Sequence, residues 1–485
     1  MSEIRNLEPK VIWENFQNIC NIPHPSKHES AIIEFVKKFG QDLGLKTIVD
    51  EVGNVIIKKP ATKGMENRKG IVLQGHLDMV PQKNSDTNHD FVKDPINAYI
   101  DGEWITARGT TLGADNGIGC AAAMAVLQSK DIAHGPIEAL FTIDEETGMT
   151  GAFGLKPNLL DGEILMNLDS EDEGELYIGC AGGVDTNAEF TFTKDSVPAD
   201  SVAYKISITG LKGGHSGLDI ILQRGNSNKI MTRFMWNAYR NLNLRMASFE
   251  GGSLRNAIPR EAFAVVTISK SNEKELLKYA DEYYQIIKKE LASTEPEFKF
   301  ELVKAQMPTD LIDATTTQNL LSALYACPNG VMRMSDDMKG LVETSLNLAI
   351  VKSKENTIEV NCLLRSSVDS AKEDLSHMVE NVFALAGANV KHEGAYPGWK
   401  PNVESPILKT MKEGYNKKYG KIPEVKAIHA GLECGLLGNV YPKMDMISFG
   451  PTIRYPHSPD EKVHIASVQK FWDFLVETLK YAPTK

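Results

Sequence analysis

Ile71-Val-Leu-Gln-Gly-His76-Leu-Asp78-Met-Val80 is the stretch on which the reading of this chain turns. An apolar, strand-like run ends in a histidine, and an aspartate follows two residues later. In extended backbone the side chains at i and i+2 point to the same side. A neutral imidazole is a good metal ligand. A carboxylate one alternation away can accept its other ring N–H and fix which nitrogen faces the metal. Alone, such a pair is more often a structural hydrogen bond than a metal site.

Four further segments change that balance. Asp115 lies in Thr111-Leu-Gly-Ala-Asp-Asn-Gly-Ile-Gly, a Gly-rich turn entering a helix. Glu145 and Glu146 follow a strand-like run at 137–143, and Asp169 follows another at 163–168. His457 sits in Tyr455-Pro-His-Ser-Pro-Asp-Glu, after a run ending near Phe449. Each has a plain reading by itself: a helix N-cap for Asp115, solvated surface for the glutamates, an acidic exposed loop for Asp169, a rigid turn for His457. Together they place polar groups where open α/β sheets bind ligands, beyond the carboxyl ends of the strands.

Two imidazoles with several carboxylates suit zinc, manganese or cobalt better than calcium, which prefers oxygen alone. Two such ions ~3.5–4 Å apart can share an activated water and hold an attacked carbonyl. Asp115 has an oxygen to offer each. Neighbouring side chains diverge, so one of Glu145 and Glu146 can ligate while the other stays free as general base.

The rest of the chain supplies the frame. Its 485 residues predict roughly two to four domains. Residues 1–195 alternate helix and strand signals, as an α/β layer fold does. Residues 196–394 change character. Period-two strands such as Tyr204-Lys-Ile-Ser-Ile-Thr alternate there with charged helices at 273–291 and 371–385. The order strand–helix–strand–strand–helix–strand over 204–303 reads as ferredoxin-like, and a related order recurs over 315–391. From 395 to 485 the α/β character returns. The expectation is a discontinuous α/β domain, 1–195 with 395–485, into which an α+β domain, 196–394, is inserted.

Composition excludes several classes of function. Hydrophobic residues at 42% against 24% charged describe a soluble globular protein. A formal net charge of −11 argues against nucleic acid as the partner. The N-terminus lacks a basic segment followed by an apolar one, and no apolar run approaches about 18 residues. No membrane partner is therefore expected, and the location expected is cytoplasmic. The 6 cysteines are scattered without a Cys-x-x-Cys pair and read as reduced structural thiols.

His76-x-Asp78, Asp115, Glu145-Glu146, Asp169 and His457 resemble the five-segment signature of the M20 metallopeptidase family. The likeness extends to Gly75-His-Leu-Asp-Met-Val-Pro-Gln-Lys, Arg108-Gly-Thr-Thr-Leu-Gly-Ala-Asp-Asn-Gly-Ile-Gly, Cys180-Ala-Gly-Gly and Gly210-Leu-Lys-Gly-Gly-His-Ser-Gly. Leu254-Arg-Asn-Ala-Ile-Pro-Arg-Glu-Ala, His429-Ala-Gly-Leu-Glu-Cys-Gly and His457-Ser-Pro-Asp-Glu continue it. Within the family these blocks look like the bacterial aminoacyl-histidine dipeptidase branch, nearly end to end. The resemblance implies a zinc-peptidase-like catalytic domain with an inserted ferredoxin-like lid and dimerisation domain. It implies two divalent ions, zinc first with manganese or cobalt as alternatives. One would be held by His76, Asp115 and Asp169, the other by Asp115, Glu146 and His457. Asp78 would orient His76, Glu145 would be the base, and His215 would stabilise the oxyanion from the lid. Asn256 and Arg365 match positions that hold substrate, and Glu433-Cys-Gly435 resembles a loop that meets the substrate's C-terminal side.

The expected activity is hydrolysis of dipeptides, Xaa-His and broader, by a metal-activated water, in a homodimer joined through the lid. A tripeptidase, aminopeptidase or N-acyl amino acid amidohydrolase of the same chemistry is the nearest rival. A silent binding protein of the same fold is disfavoured by the intact Glu145 and the complete ligand set. A thiol hydrolase using Cys120 or Cys434 has no local support.

Overall fold

The run at Ile71–His76 is a strand buried along its whole length. It lies within an eight-stranded sheet ordered Lys46–Val49, Val55–Lys59, Ile137–Thr142, Ile71–His76, Ile164–Asn167, Asp445–Ser448, Glu175–Cys180, Glu424–Ile428. Ile71–His76 runs parallel to both neighbours, and Asp445–Ser448 runs parallel to Ile164–Asn167. Four adjacent strands therefore point their carboxyl ends at one rim. Strands buried on both faces read as continuous apolar runs rather than alternations, which is why these were legible as Ile-Val-Leu and Ile-Leu-Met. This computed structural model describes residues 3–485.

Helix Ala114–Gln128 packs on Ile71–His76 and is buried on almost every face. Its small residues allow that, but the contact also requires Gly75. A Cβ there would lie 2.2 Å from Asn116 Oδ1 and 3.3 Å from Cys120 Sγ. Asn116 in turn donates from Nδ2 to the Leu168 carbonyl at 2.7 Å, tying the start of the helix to the end of the next strand. A small antiparallel sheet, ordered Ile453–Arg454, Lys462–His464, Trp104–Ala107, Ala98–Asp101, anchors the C-terminal turn that carries His457.

By its contacts the chain forms two compact units. One comprises Met1–Gly179, Pro401–Ala427 and Leu432–Lys485; the other comprises Cys180–Lys400 and Ile428–Gly431. The second is built on an antiparallel sheet whose first half runs Lys299–Lys304, Ser201–Thr209, Ala262–Ser269, Arg245–Gly251. With helices Ser227–Leu242 and Glu273–Glu290 this is a strand–helix–strand–strand–helix–strand unit in spatial order 4-1-3-2. The other half repeats the order with Asn389–Tyr396, Gly182–Thr191, Thr357–Ser366 and Val342–Ser353, and with helices Ala314–Ala326 and Asp369–Leu385. The halves join where Glu250 and Gly251 pair with Lys352 and Val351.

The second half takes its first strand from far upstream, and this moves the boundary. The sequence reading places the insertion at 196–394, whereas the unit seen here begins at Cys180 and runs to Lys400. Gly182–Thr191 pairs along its whole length with Thr357–Ser366 and also with Asn389–Tyr396. Its partners are supplied by residues more than 160 positions later, so pattern alone could not assign it to a sheet.

Candidate metal centre

Five sequence-derived segments of the first unit, those of His76, Asp115, Glu145–Glu146, Asp169 and His457, reach the same rim. His76 is the last residue of its strand and 1% exposed. Asp115 stands in the first turn of helix Ala114–Gln128. Glu145 and Glu146 open a short helix, Glu145–Gly148, directly after strand Ile137–Thr142. Asp169 follows Ile164–Asn167 by two residues. His457 occupies a turn in which both it and Tyr455 have left-handed backbone, φ 60° and 56°.

The two oxygens of Asp115 face different imidazoles. Oδ1 is 3.1 Å from His76 Nε2, and Oδ2 is 3.3 Å from His457 Nε2. Asp169 Oδ1 lies 3.3 Å from the same His76 nitrogen, and Glu146 Oε2 lies 3.0 Å from that of His457. Two trios result, His76–Asp115–Asp169 and Asp115–Glu146–His457. The donor atoms within each lie within 4.8 Å of one another. His76 also gathers with Glu145 and Glu146.

The donor set fits divalent cations. Among the described residues, the buried atoms Glu146 Oε1 and Asp169 Oδ1 have no hydrogen-bond partner. The charge balance agrees. Burial, reinforced by Glu433, Glu146 and Asp115 against the opposing pull of His76, lifts Glu145 to about 8. Burial lifts Asp169 well above the carboxylate range, and lifts Glu171, beside Asp115 and Asp169, to about 8. His457, hydrogen-bonded to Asp115 and Glu146, is raised to about 11. So many desolvated carboxylates can all stay ionised only where positive charge compensates them. Glu171 was not singled out by sequence reading, because an acidic run after Asp169 looks like solvated loop.

Asp78 does more than its expected task. The His76 Nδ1 atom is 3.0 Å from the Asp78 main-chain carbonyl and 3.4 Å from its Oδ1. The carboxylate itself accepts from Ser26 Oγ at 2.7 Å and from the backbone N–H groups of Glu145 and Glu146 at 2.9 and 3.3 Å. It is held down to about 2: these bonds and the charge of His76 outweigh the upward push of its burial. Glu433 lies beneath the rim, 1% exposed. Its Oε2 accepts from Gln74 Nε2 at 2.6 Å and Thr142 Oγ1 at 2.8 Å. Gln74 continues the chain by accepting from Asn167 Nδ2 at 2.6 Å. A side chain so enclosed supports the strand ends, which corrects its expected place against substrate. Gly435 is likewise buried, in helix Glu433–Val440.

The remaining candidates belong to the second unit. His215 lies on a two-residue strand paired with Ala257–Ile258. Its Nδ1 accepts from the N–H groups of Gly217 and Leu218 at 3.2 and 3.1 Å, so the neutral ring carries its proton on Nε2. Burial, then the charge of Arg365, lowers its pKa and keeps it neutral. Arg365 is 5% exposed and donates to Tyr396 Oη at 2.9 Å. Its Nε has no partner among the described residues. Asn256 is exposed, and its carbonyl accepts from Ser216 N at 2.8 Å.

Imidazoles and carboxylates in two overlapping trios beyond the ends of parallel strands define a metal-dependent hydrolase. Residues 72–481 match the model of peptidase family M20/M25/M40, and the chain belongs to that family. It is 49% identical to the cytosol non-specific dipeptidase of Escherichia coli (strain K12) over 485 residues, 100% of both chains. The crystal structure of aminoacylhistidine dipeptidase from Vibrio alginolyticus matches with a TM-score of 0.96 at 52% identity, covering 100% of this chain and 99% of that one. Aminopeptidase PepT from Bacillus cereus, at 17% identity and a TM-score of 0.58 over 98% of this chain and 99% of its own, shares the fold.

Proposed function

We propose that this protein is a dinuclear metallo-dipeptidase of broad specificity that accepts Xaa-His dipeptides. The observation that carries the reading is Asp115, whose two oxygens face His76 and His457 separately. His76, Asp115 and Asp169 would hold one ion and Asp115, Glu146 and His457 the other, most simply zinc, with manganese or cobalt compatible. Divalent cations held by those trios would supply Lewis acidity, making a bound water more acidic and polarising the scissile carbonyl. Glu145 takes the proton from the attacking water and delivers it to the leaving amine. Its desolvated carboxyl and its place beside Glu146 suit both halves of that transfer. Asp78 orients His76 and the turn that bears Glu145. His215 donates from Nε2 to the developing oxyanion. Arg365, with an unused N–H, and Asn256 hold the substrate.

The names of two similar relatives, a cytosol non-specific dipeptidase and an aminoacylhistidine dipeptidase, support this reading over a tripeptidase or an acyl-amino acid amidohydrolase. We also propose a cytoplasmic homodimer joined through the second unit. All six cysteines are buried, and they are scattered without a Cys-x-x-Cys pair, in keeping with structural thiols of a reducing compartment. The test is hydrolysis of a panel of dipeptides, tripeptides and N-acyl amino acids, before and after chelation and after return of zinc, manganese or cobalt. Dipeptide cleavage that persists after full metal removal ends the proposal.

A further inference from the structure

We propose that Glu461 is a positioning residue for the metal centre: its carboxylate clamps the backbone that presents Asp115 and ties it to the turn that presents His457. This rests on reading Asp115 and His457 as ligands.

The backbone at 112–115 leads into the helix while Asp115 and Asn116 themselves lie outside helical φ/ψ, so its N–H groups need partners from elsewhere. Its cap position is Gly113, which offers no side chain. Glu461 answers for the whole group. Oε2 accepts from Leu112 N and Gly113 N at 2.8 and 3.0 Å, and Oε1 accepts from Ala114 N and Asp115 N at 2.8 and 3.2 Å. The side chain is 2% exposed and comes from 346 positions downstream of Asp115.

Glu461 is anchored in its own turn. Its N–H donates to the Ser458 carbonyl at 2.9 Å, and its carbonyl accepts from Thr106 Oγ1 at 2.8 Å. The strand that follows, Lys462–His464, pairs with Trp104–Ala107. His457 stands four residues earlier in the same turn, with left-handed backbone and a side chain 52% exposed. The 3.3 Å approach of His457 to Asp115 Oδ2 thus closes a ring. Covalent chain runs from His457 to Glu461, and the four hydrogen bonds return to Asp115. A local cap would satisfy the helix equally well, yet it would leave the two ligands unlinked.

The experiment uses the full chain carrying Glu461→Gln or Thr106→Val. The metal-free proteins are titrated with zinc against a chromogenic chelator, and kcat and KM are measured after zinc is returned. Glutamine keeps the volume of the side chain but turns an amide donor toward two N–H donors. With far-UV circular dichroism unchanged, E461Q is expected to bind its weaker zinc about 10–100-fold less tightly and to lose kcat to a similar extent. KM should stay within about threefold of wild type. T106V, which frees only the main chain of Glu461, gives a smaller loss of the same kind. A folded E461Q with wild-type zinc affinity overturns the proposal, even if it melts earlier, because Glu461 would then be a helix cap and nothing more. Should E461Q fail to fold, wild-type zinc affinity in T106V overturns it. If the wild type binds two zinc ions but cleaves no dipeptide, the proposed function fails while the affinity comparison still decides the role of Glu461.

Discussion

Asp78 Oδ1 accepts the backbone N–H of Glu145 at 2.9 Å, so the residue beside the imidazole of His76 also fixes the backbone from which the Glu145 side chain starts. Under the proposed function one side chain therefore serves a ligand and a proton carrier. Asp78→Ala should weaken metal binding about 10–100-fold, as loss of an outer-shell partner does. Excess zinc should restore occupancy without restoring kcat, since the turn at Glu145 stays displaced. Zinc titration beside steady-state kinetics measures both. Full rescue of kcat by zinc would reduce Asp78 to an orienter of His76.

Glu145→Gln separates base from ligand. Loss of a general base lowers turnover by about 10²–10⁴-fold. The variant should retain two ions per chain by elemental analysis, because neither trio draws on Glu145. A missing ion would move Glu145 into the ligand set, an outcome made concrete by its position within reach of His76 and Glu146.

The two His–carboxylate trios were legible because their members end strands or open turns, where polar side chains interrupt apolar runs. His76 and Asp169 are read that way, and Asp115 from its Gly-rich turn. The first ferredoxin-like half was legible for the same reason, with its six elements consecutive in sequence. What escaped depends on partners far away in the chain. Gly182–Thr191 looks like any alternating strand until Thr357–Ser366 lies beside it. Glu461 reads as part of an acidic turn, since nothing local announces four N–H groups 346 or more positions upstream. Glu433 was placed against substrate by resemblance, whereas Gln74 and Thr142 hold it beneath the sheet's rim.

Gly75 lets the helix bearing Asp115 lie against the strand bearing His76. Gly75→Ala puts a methyl group 2.2 Å from Asn116 Oδ1, so the helix start must move. Overpacking of this kind costs about 1–3 kcal/mol. The shift falls on the residue after Asp115, so zinc affinity should drop together with stability. Thermal unfolding and zinc titration of the variant check both. A variant that loses stability yet binds zinc as wild type would show that the rim adjusts independently of the strand–helix contact.

His429 makes a pH-dependent contribution to stability whose sign follows from its surroundings. Its Nε2 pairs with Ser345 Oγ at 2.7 Å, and its Nδ1 has no partner among the described residues. Burial, then the charges of Arg365 and His215, hold it down to about 3. An unfolded histidine titrates near 6.5. Below that pH the unfolded chain takes a proton that the folded chain refuses, so stability is complete above about 6.5 and drains away toward 3. At pH 5 the loss is about 2 kcal/mol. Urea unfolding of the metal-free wild type should therefore lose that much more than His429→Gln between pH 7.5 and 5. Equal losses in the two proteins would mean that His429 accepts its proton in the folded state and that its pocket admits water.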